Sequence, residues 1–279
     1  MILDLSSVGT RTSPTPVSWD STQVILYALG VGAGSEDPTQ ELEFTTENTA
    51  GISQRVLPTF ALVIGSEVRS PSYGELAPGT TLHAEQELEL FGELPPDGQG
   101  TVVRSIDHIY DKGADALVVM SAELTDPEGK ILARSTTTAF VRGGGGFGGD
   151  RGPKSDWSLP ARDADRVVEQ HTRIDQALLY RLSGDRNPLH SDPSLAALSG
   201  QSRPILHGLC TFGFVARAAL TIVDQDPSRL TQIRARFVAP LMPGESLSTH
   251  FWVDGPRVLF RTYAGNRLIL DQGRAKVAL

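Results

Sequence analysis

The sequence predicts an α+β fold in which helices followed by antiparallel sheet occur twice. Three observations carry this. Leu209, Phe212, Val215, Ala216, Ala219, Leu220 and Val223 recur at three-and-four spacing, the pattern of a long buried helix. Beyond it, LTQIRARFVAPLMPG, SLSTHFWVDG, RVLFRTYAG and RLILDQGRAKVAL are separated by Pro-Gly, Asp-Gly, Ala-Gly and Gln-Gly, which predicts four or five strands wrapped around that helix. Leu76-Ala-Pro-Gly-Thr-Thr-Leu82 also resembles Leu241-Met-Pro-Gly-Glu-Ser-Leu247, each just before a strand, which suggests duplication.

In order along the chain, the segment from Trp19 predicts a helix capped by Asp20 or Ser21, carrying Val24, Ile25, Tyr27 and Ala28, and ended by glycines. GVGAG at 30–34 lacks the preceding strand and following helix of a dinucleotide fingerprint. Glu41, Glu43 and Glu47 surround Leu42 and Phe44, a pattern ordinarily solvated. VLPTFALVIG is apolar but too short for a second long helix. LAPGTTLHAEQELELFGEL follows, with alternation through Leu82, Glu85, Leu88 and Leu90 only roughly kept. TVVRSIDHIYD, DALVVMSAELTD and KILARSTTTAFVRG are further strands, joined by turns at Asp111-Lys-Gly113 and Asp126-Pro-Glu-Gly129. GGGGFGGD at 143–150 opens a Gly-, Pro-, Asp- and Ser-rich stretch to Pro160 that reads as a linker, flexible or tightly folded. Gly152-Pro-Lys-Ser155 lacks the spacing of a P-loop.

A chain of 279 residues has ample length for a substantial core, and its net charge of -8 argues against nucleic acid as a partner. The single cysteine, Cys210, cannot close an intramolecular disulfide; it fits a reducing compartment and, on a helix, core packing. MILDLSSVGT lacks the blocks of a signal peptide, no apolar run approaches a membrane span, and Lys-Val-Ala-Leu is not the Ser-Lys-Leu peroxisomal address. The expected location is the cytoplasm, with no membrane partner.

Chemistry concentrates between Tyr180 and Phe214, YRLSGDRNPLHSDPSLAALSGQSRPILHGLCTFGF. A helix with Ile174, Ala177 and Leu178 apolar runs into Ser183-Gly184, where glycine can stop it. Asn187-Pro188 keeps the next residues in a loop, because proline disfavours helical geometry before it. In a helix Asp185 and His190 would point about 500° apart, at ~100° per residue; a curled loop can bring them together. Asp192-Pro193 predicts the cap and first turn of a short helix ending at Gly200. The long helix then starts after His207-Gly208, its free N–H groups able to stabilise developing negative charge. A carboxylate, an imidazole and such an N–H suit addition of water to a double bond conjugated with a carbonyl. Two ligands with no further His or Cys close by make a poor metal site, so no metal is expected.

YRLSGDRNPLH followed by RPILHGLCTFGF resembles the signature of the R-specific 2-enoyl-CoA hydratases, the hydratase 2 branch of the MaoC-like dehydratases. The resemblance runs from about Trp19 to the C-terminus and implies a double hot-dog. A degenerate N-terminal half (1–142) would bind substrate and coenzyme A; the Gly-rich linker spans 143–160; a catalytic half spans 161–279. It implies water and proton handling by Asp185 and His190, an oxyanion donor at the Gly208 N–H, and Asn187 holding the loop or binding water. His207 would orient the loop. His83, Lys112 and Phe237 match positions that touch coenzyme or substrate, Ala84 stands where glycine is common, and Glu47 matches a supporting glutamate. GGFGG also occurs there and either connects or covers bound thioester. The implied activity is a hydro-lyase interconverting trans-2-enoyl-CoA and (R)-3-hydroxyacyl-CoA, without cofactor beyond the coenzyme A of its substrate. A second copy of the chain is a candidate partner. A catalytically silent acyl-thioester-binding subunit and a hot-dog thioesterase are the alternatives. Absence of a long helix in the first half would leave room for long or bulky acyl chains, unless Phe60 and Phe44 fill it.

Overall fold

Alternating runs need a partner on each side to satisfy their backbone N–H and C=O groups, and in the computed structural model, which describes residues 2–77 and 79–278, they find it in a single ten-stranded antiparallel sheet. The first half contributes β1 (Thr15–Trp19), β2 (Thr81–Leu90), β3 (Gly98–Asp111), β4 (Ala116–Thr125) and β5 (Ile131–Val141). The second contributes β6 (Arg166–His171), β7 (Leu230–Phe237), β8 (Ser246–Asp254), β9 (Arg257–Ala264) and β10 (Arg267–Val277). Across the sheet the order is β1-β3-β4-β5-β2-β7-β10-β9-β8-β6. Each half therefore lays its own strands down as first, third, fourth, fifth, second, and the halves join along their second strands.

The same duplication governs the helices. In the first half β1 leads to α1 (Ser21–Gly30), α2 (Leu42–Thr45) and a single 3-10 turn, Pro58–Leu62; in the second β6 leads to α3 (Gln176–Tyr180), α4 (Pro193–Leu198) and α5 (Gly208–Leu220). The 3-10 turn thus stands where α5 stands in the other half, and the expected lack of a long helix there is observed. The heptads that suggested duplication are not equivalent, however. Leu76–Leu82 leads into the second strand of its half and Leu241–Leu247 into the third; their likeness is that of two turns with a left-handed glycine, Gly79 at φ 78° and Gly244 at φ 91°. The topological counterpart of the later heptad is the segment before β3.

Along the β2–β7 seam, Leu88 faces Ile233 and Gln86 faces Ala235 on the core side, while Glu85 and Glu87 face Arg236 and Arg234 on the other. Glu85 accepts from both arginines at 2.6 Å. The helix α5 packs on β6, β7 and β8 and buries Cys210, Phe212, Phe214, Val215 and Leu220. Full burial of each large apolar side chain is worth ~2 kcal/mol.

Asp20 caps α1, in a reciprocal box with Gln23. In and just before α3 the expected apolar face is only partly buried: Ala177 is buried, but Ile174 and Leu178 are exposed, and Gln176 and Tyr180 go inward. Gln176 goes inward because its Nε2 donates to the Gly30 carbonyl at the end of α1 (2.6 Å), satisfying a helix-terminal acceptor. The Gly-rich stretch is tightly folded onto the β3–β4 turn. The Asp111 carboxylate accepts from the N–H groups of Gly146 (3.1 Å), Gly113 (2.7 Å) and Gly148 (2.6 Å), donors that hold it down to about 2.

Candidate active site

Local chain chemistry assembles the site in the second half. After α3, Gly184 turns the chain at φ 128°. A Cβ there would lie 2.2 Å from Ser66 Oγ, so only glycine lets this loop close on the first half. The Asn187 side chain accepts from Leu189 N (3.0 Å) and caps the 3-10 turn Pro188–His190, while Asp185 Oδ1 accepts from Asn187 N (3.0 Å). The Asn187 side chain is therefore engaged within the loop itself. Asp192 caps α4 through Ser194 N, as its spacing predicts.

The curled loop brings Asp185, His190 and His207 together, one ligand-type atom of each within 4.8 Å of the others. His190 is buried, and its Nδ1–H donates to the Ile205 carbonyl (2.9 Å). That bond leaves Nε2 as the basic nitrogen. Burial lowers its pKa against the opposing influence of the Ile205 bond and the Asp185 charge. His207 Nε2–H donates to the Asp185 backbone carbonyl (3.2 Å), tying this ring to the loop. Burial, reinforced by His190, pushes it down to about 4. The two rings stack at 3.8 Å, so their in-plane lone pairs run side by side rather than to one point. This arrangement suits neutral proton-handling groups better than a shared cation.

Gly208 is the first residue of α5, and no side chain caps that terminus, so its N–H is among the four that a helix leaves open. A Cβ at Gly208 would meet the Phe237 ring at 3.2 Å. Phe237 in turn packs on His83, centroids 4.7 Å apart. The broken alternation of β2 has a definite cause: the register shifts between His83 and Glu85, leaving Ala84 as the extra residue of a bulge. The bulge turns both His83 and Gln86 to the core face. His83 is pushed down to about 4 by burial, with its Nε2 buried and unpartnered.

A cavity of about 340 Å³ lies where a first-half counterpart of α5 would pack, bounded by Ala61, Leu62, His83, Ala122, Asp185 and Leu209 among others. Phe44 and Phe60 are buried elsewhere in the core and do not fill it. Two expected site residues lie apart from this centre. Glu47 is exposed in the loop after α2 and lines no part of the cavity; the engaged glutamate of that region is Glu41, which bonds Arg217 of α5 at 2.7 Å. Lys112 sits in the β3–β4 turn, bonded to the Arg151 carbonyl. No described residue of the Gly-rich stretch lines the cavity. Cys210 donates to Gly30 O (3.3 Å), and burial raises its thiol pKa far up, so it packs rather than reacts.

Of the residues lining the cavity, sequence reasoning singled out His83 and Asp185 and missed the rest, the polar Ser66, Gln86 and Arg104 among them. Arg104 had a signal: it falls between Val102 and Ile106 on the inward phase of a strand.

Known proteins resemble this chain in sequence and fold. Residues 17–143 match the model of the MFE-2 hydratase 2 N-terminal domain and residues 157–270 that of the MaoC like domain. The 3-hydroxyacyl-thioester dehydratase Y of Mycobacterium tuberculosis is 44% identical over 98% of this chain and 98% of its own. The peroxisomal enoyl-CoA hydratase 2 of Arabidopsis thaliana is 36% identical, over 91% of this chain and 88% of its own. A solved MaoC-like dehydratase from Phytophthora capsici superposes with a TM-score of 0.89 at 28% identity, covering 99% of this chain and 98% of that one. The duplicated sheet defines a double hot-dog of the MaoC-like kind. The chain belongs to the MaoC-like dehydratase family, and its two halves pair the hydratase 2 N-terminal domain with the MaoC-like domain.

Proposed function

We propose that this protein is a hydro-lyase that adds water reversibly to trans-2-enoyl-CoA to give (R)-3-hydroxyacyl-CoA. The observation that carries the reading is the meeting of Asp185 and His190 with the open N-terminus of α5 at the edge of an empty cavity. Stereochemistry follows from membership in the family.

In a 2-enoyl thioester the third carbon is electrophilic because charge can pass to the thioester oxygen. With that oxygen on the Gly208 N–H, the enolate-like state would gain ~3 kcal/mol from a well-placed donor. His190 Nε2 and the free Asp185 oxygen hold one water between them. As its oxygen bonds to the third carbon, one of them takes its proton, and a proton returns to the second carbon. No net proton is gained or lost. His207 keeps the Asp185 backbone in place. The first half supplies the acyl cavity, with His83 in its wall and Phe237 packed behind that ring. Room in that cavity supports medium-chain substrates over the four-carbon one.

Among the described residues no helix is long and apolar enough to cross a membrane. The lone cysteine, buried and unpaired, favours a reducing compartment such as the cytoplasm.

Loss of the ultraviolet absorbance of crotonyl-CoA without thiol release is the expected result. Thiol release would identify a thioesterase, and neither change a silent binding subunit.

A further inference from the structure

The sheet wall of the cavity carries a charge that hydration does not use. Arg104 faces inward on β3, in register with Ala122, Ser135 and Leu88 on β4, β5 and β2. Three strand spacings, about 14 Å of sheet, separate β3 from the strand that carries His83. The Arg104 backbone therefore lies across the cavity from His83, while its guanidinium reaches the Gly65–Ser66 turn that abuts Gly184. Its Nη2 donates to the Gly65 carbonyl (3.0 Å), and its Nε is buried without a partner. Burial disfavours its charge, and the one carboxylate acting on it, Glu67, is exposed. The neighbouring Glu123 pairs opposite Val103, on the other face, and bonds Arg134 there. Polar groups continue along the inner face: Thr137 donates to Gln86 Oε1 (2.9 Å), and Ser135 borders the cavity. A pocket for a plain hydrocarbon tail gains nothing from a half-buried cation that no carboxylate bonds.

We infer that Arg104 is a specificity residue, and that the preferred acyl chain carries a hydrogen-bond-accepting oxygen at its far end, a carboxylate being the best match. Arg forms short, charge-assisted bonds to such a group. The inference rests on the hydratase reading for its chemistry and on Arg104 for its selectivity.

Paired series of trans-2-enoyl-CoA esters, hexenoyl to dodecenoyl, ending in methyl or in carboxylate, test it. The wild type should favour the carboxylate ester by about tenfold in kcat/KM at one chain length or more, equivalent to ~1.4 kcal/mol. Arg104→Leu should reverse the ratio, and Arg104→Lys should keep part of it. A methyl preference at every length overturns the inference. So does an equal loss on both series in Arg104→Leu, the mark of a residue that only pins Gly65. Calorimetric binding of saturated acyl-CoA and ω-carboxyacyl-CoA separates the two claims. A carboxylate preference in binding without hydration of crotonyl-CoA sinks the hydratase reading alone; hydration without that preference sinks the role of Arg104 alone.

Discussion

The His207 imidazole lies stacked on that of His190, centroids 3.8 Å apart and planes 28° from parallel, and the two rings divide the work of the site. One donates to the Asp185 backbone and the other, anchored on Ile205, keeps a nitrogen free. Asp185→Asn and His190→Gln should therefore each lower hydration of crotonyl-CoA by about 10²–10⁴-fold, the range for loss of a positioned acid or base. Circular dichroism should show both folded. Near wild-type turnover in either folded variant would remove that residue from the mechanism.

Asp192 lies two residues from His190 and serves only α4. Asp192→Ala should cost about 1 kcal/mol of stability, read by urea melting, with turnover little changed. A fall in turnover as large as that of the Asp185 variant would contradict the division of roles.

His83 and His207 are each pushed down to about 4 by burial, and His190 is lowered too. In the unfolded chain histidines take up protons near pH 6.5. The unfolded state then binds more protons, so the contribution of these rings to stability is full above about pH 6.5 and is lost as the pH falls toward 4. Tm measured across that range should drop, and His207→Phe should make the slope shallower. Parallel slopes for the two proteins would show that His207 is already protonated when folded.

At Gly208 the Phe237 ring crowds any larger residue, its nearest atom standing 3.2 Å from where a Cβ would be. Gly208→Val should displace the start of α5 from the reacting oxygen and lower kcat more than Tm. Equal activity in that variant would place the oxyanion donor elsewhere.

The cavity predicts a chain-length profile. Each buried methylene adds about 0.8 kcal/mol, so kcat/KM should rise from crotonyl-CoA to medium-chain esters. Ala122→Phe, which fills the inner face of β4, should move the optimum to shorter chains. Hydration of the four-carbon ester alone, with no binding of a ten-carbon one, would show that acyl chains do not enter there.

Much of this was present in the sequence because it is written over short distances. Three-and-four spacing marks α5, glycine and proline mark the turns, and the eleven residues from Tyr180 to His190 contain the curled loop with its carboxylate and imidazole. Pairing across the sheet is another matter. The short edge strands β1 and β6 escaped notice because each satisfies its backbone against a strand about eighty residues away. Gln176 is buried, and Ile174 exposed, because the end of α1 needs a donor. The bulge at Ala84 looked like poor alternation until β5 supplied the register. Glu47 and Lys112 were placed with the site by resemblance, and the fold sets them apart. Periodicity and turn chemistry thus determined the elements and the catalytic loop. Only the tertiary structure decided which residues face the empty place of the missing helix, because that depends on strand register between segments remote in the chain.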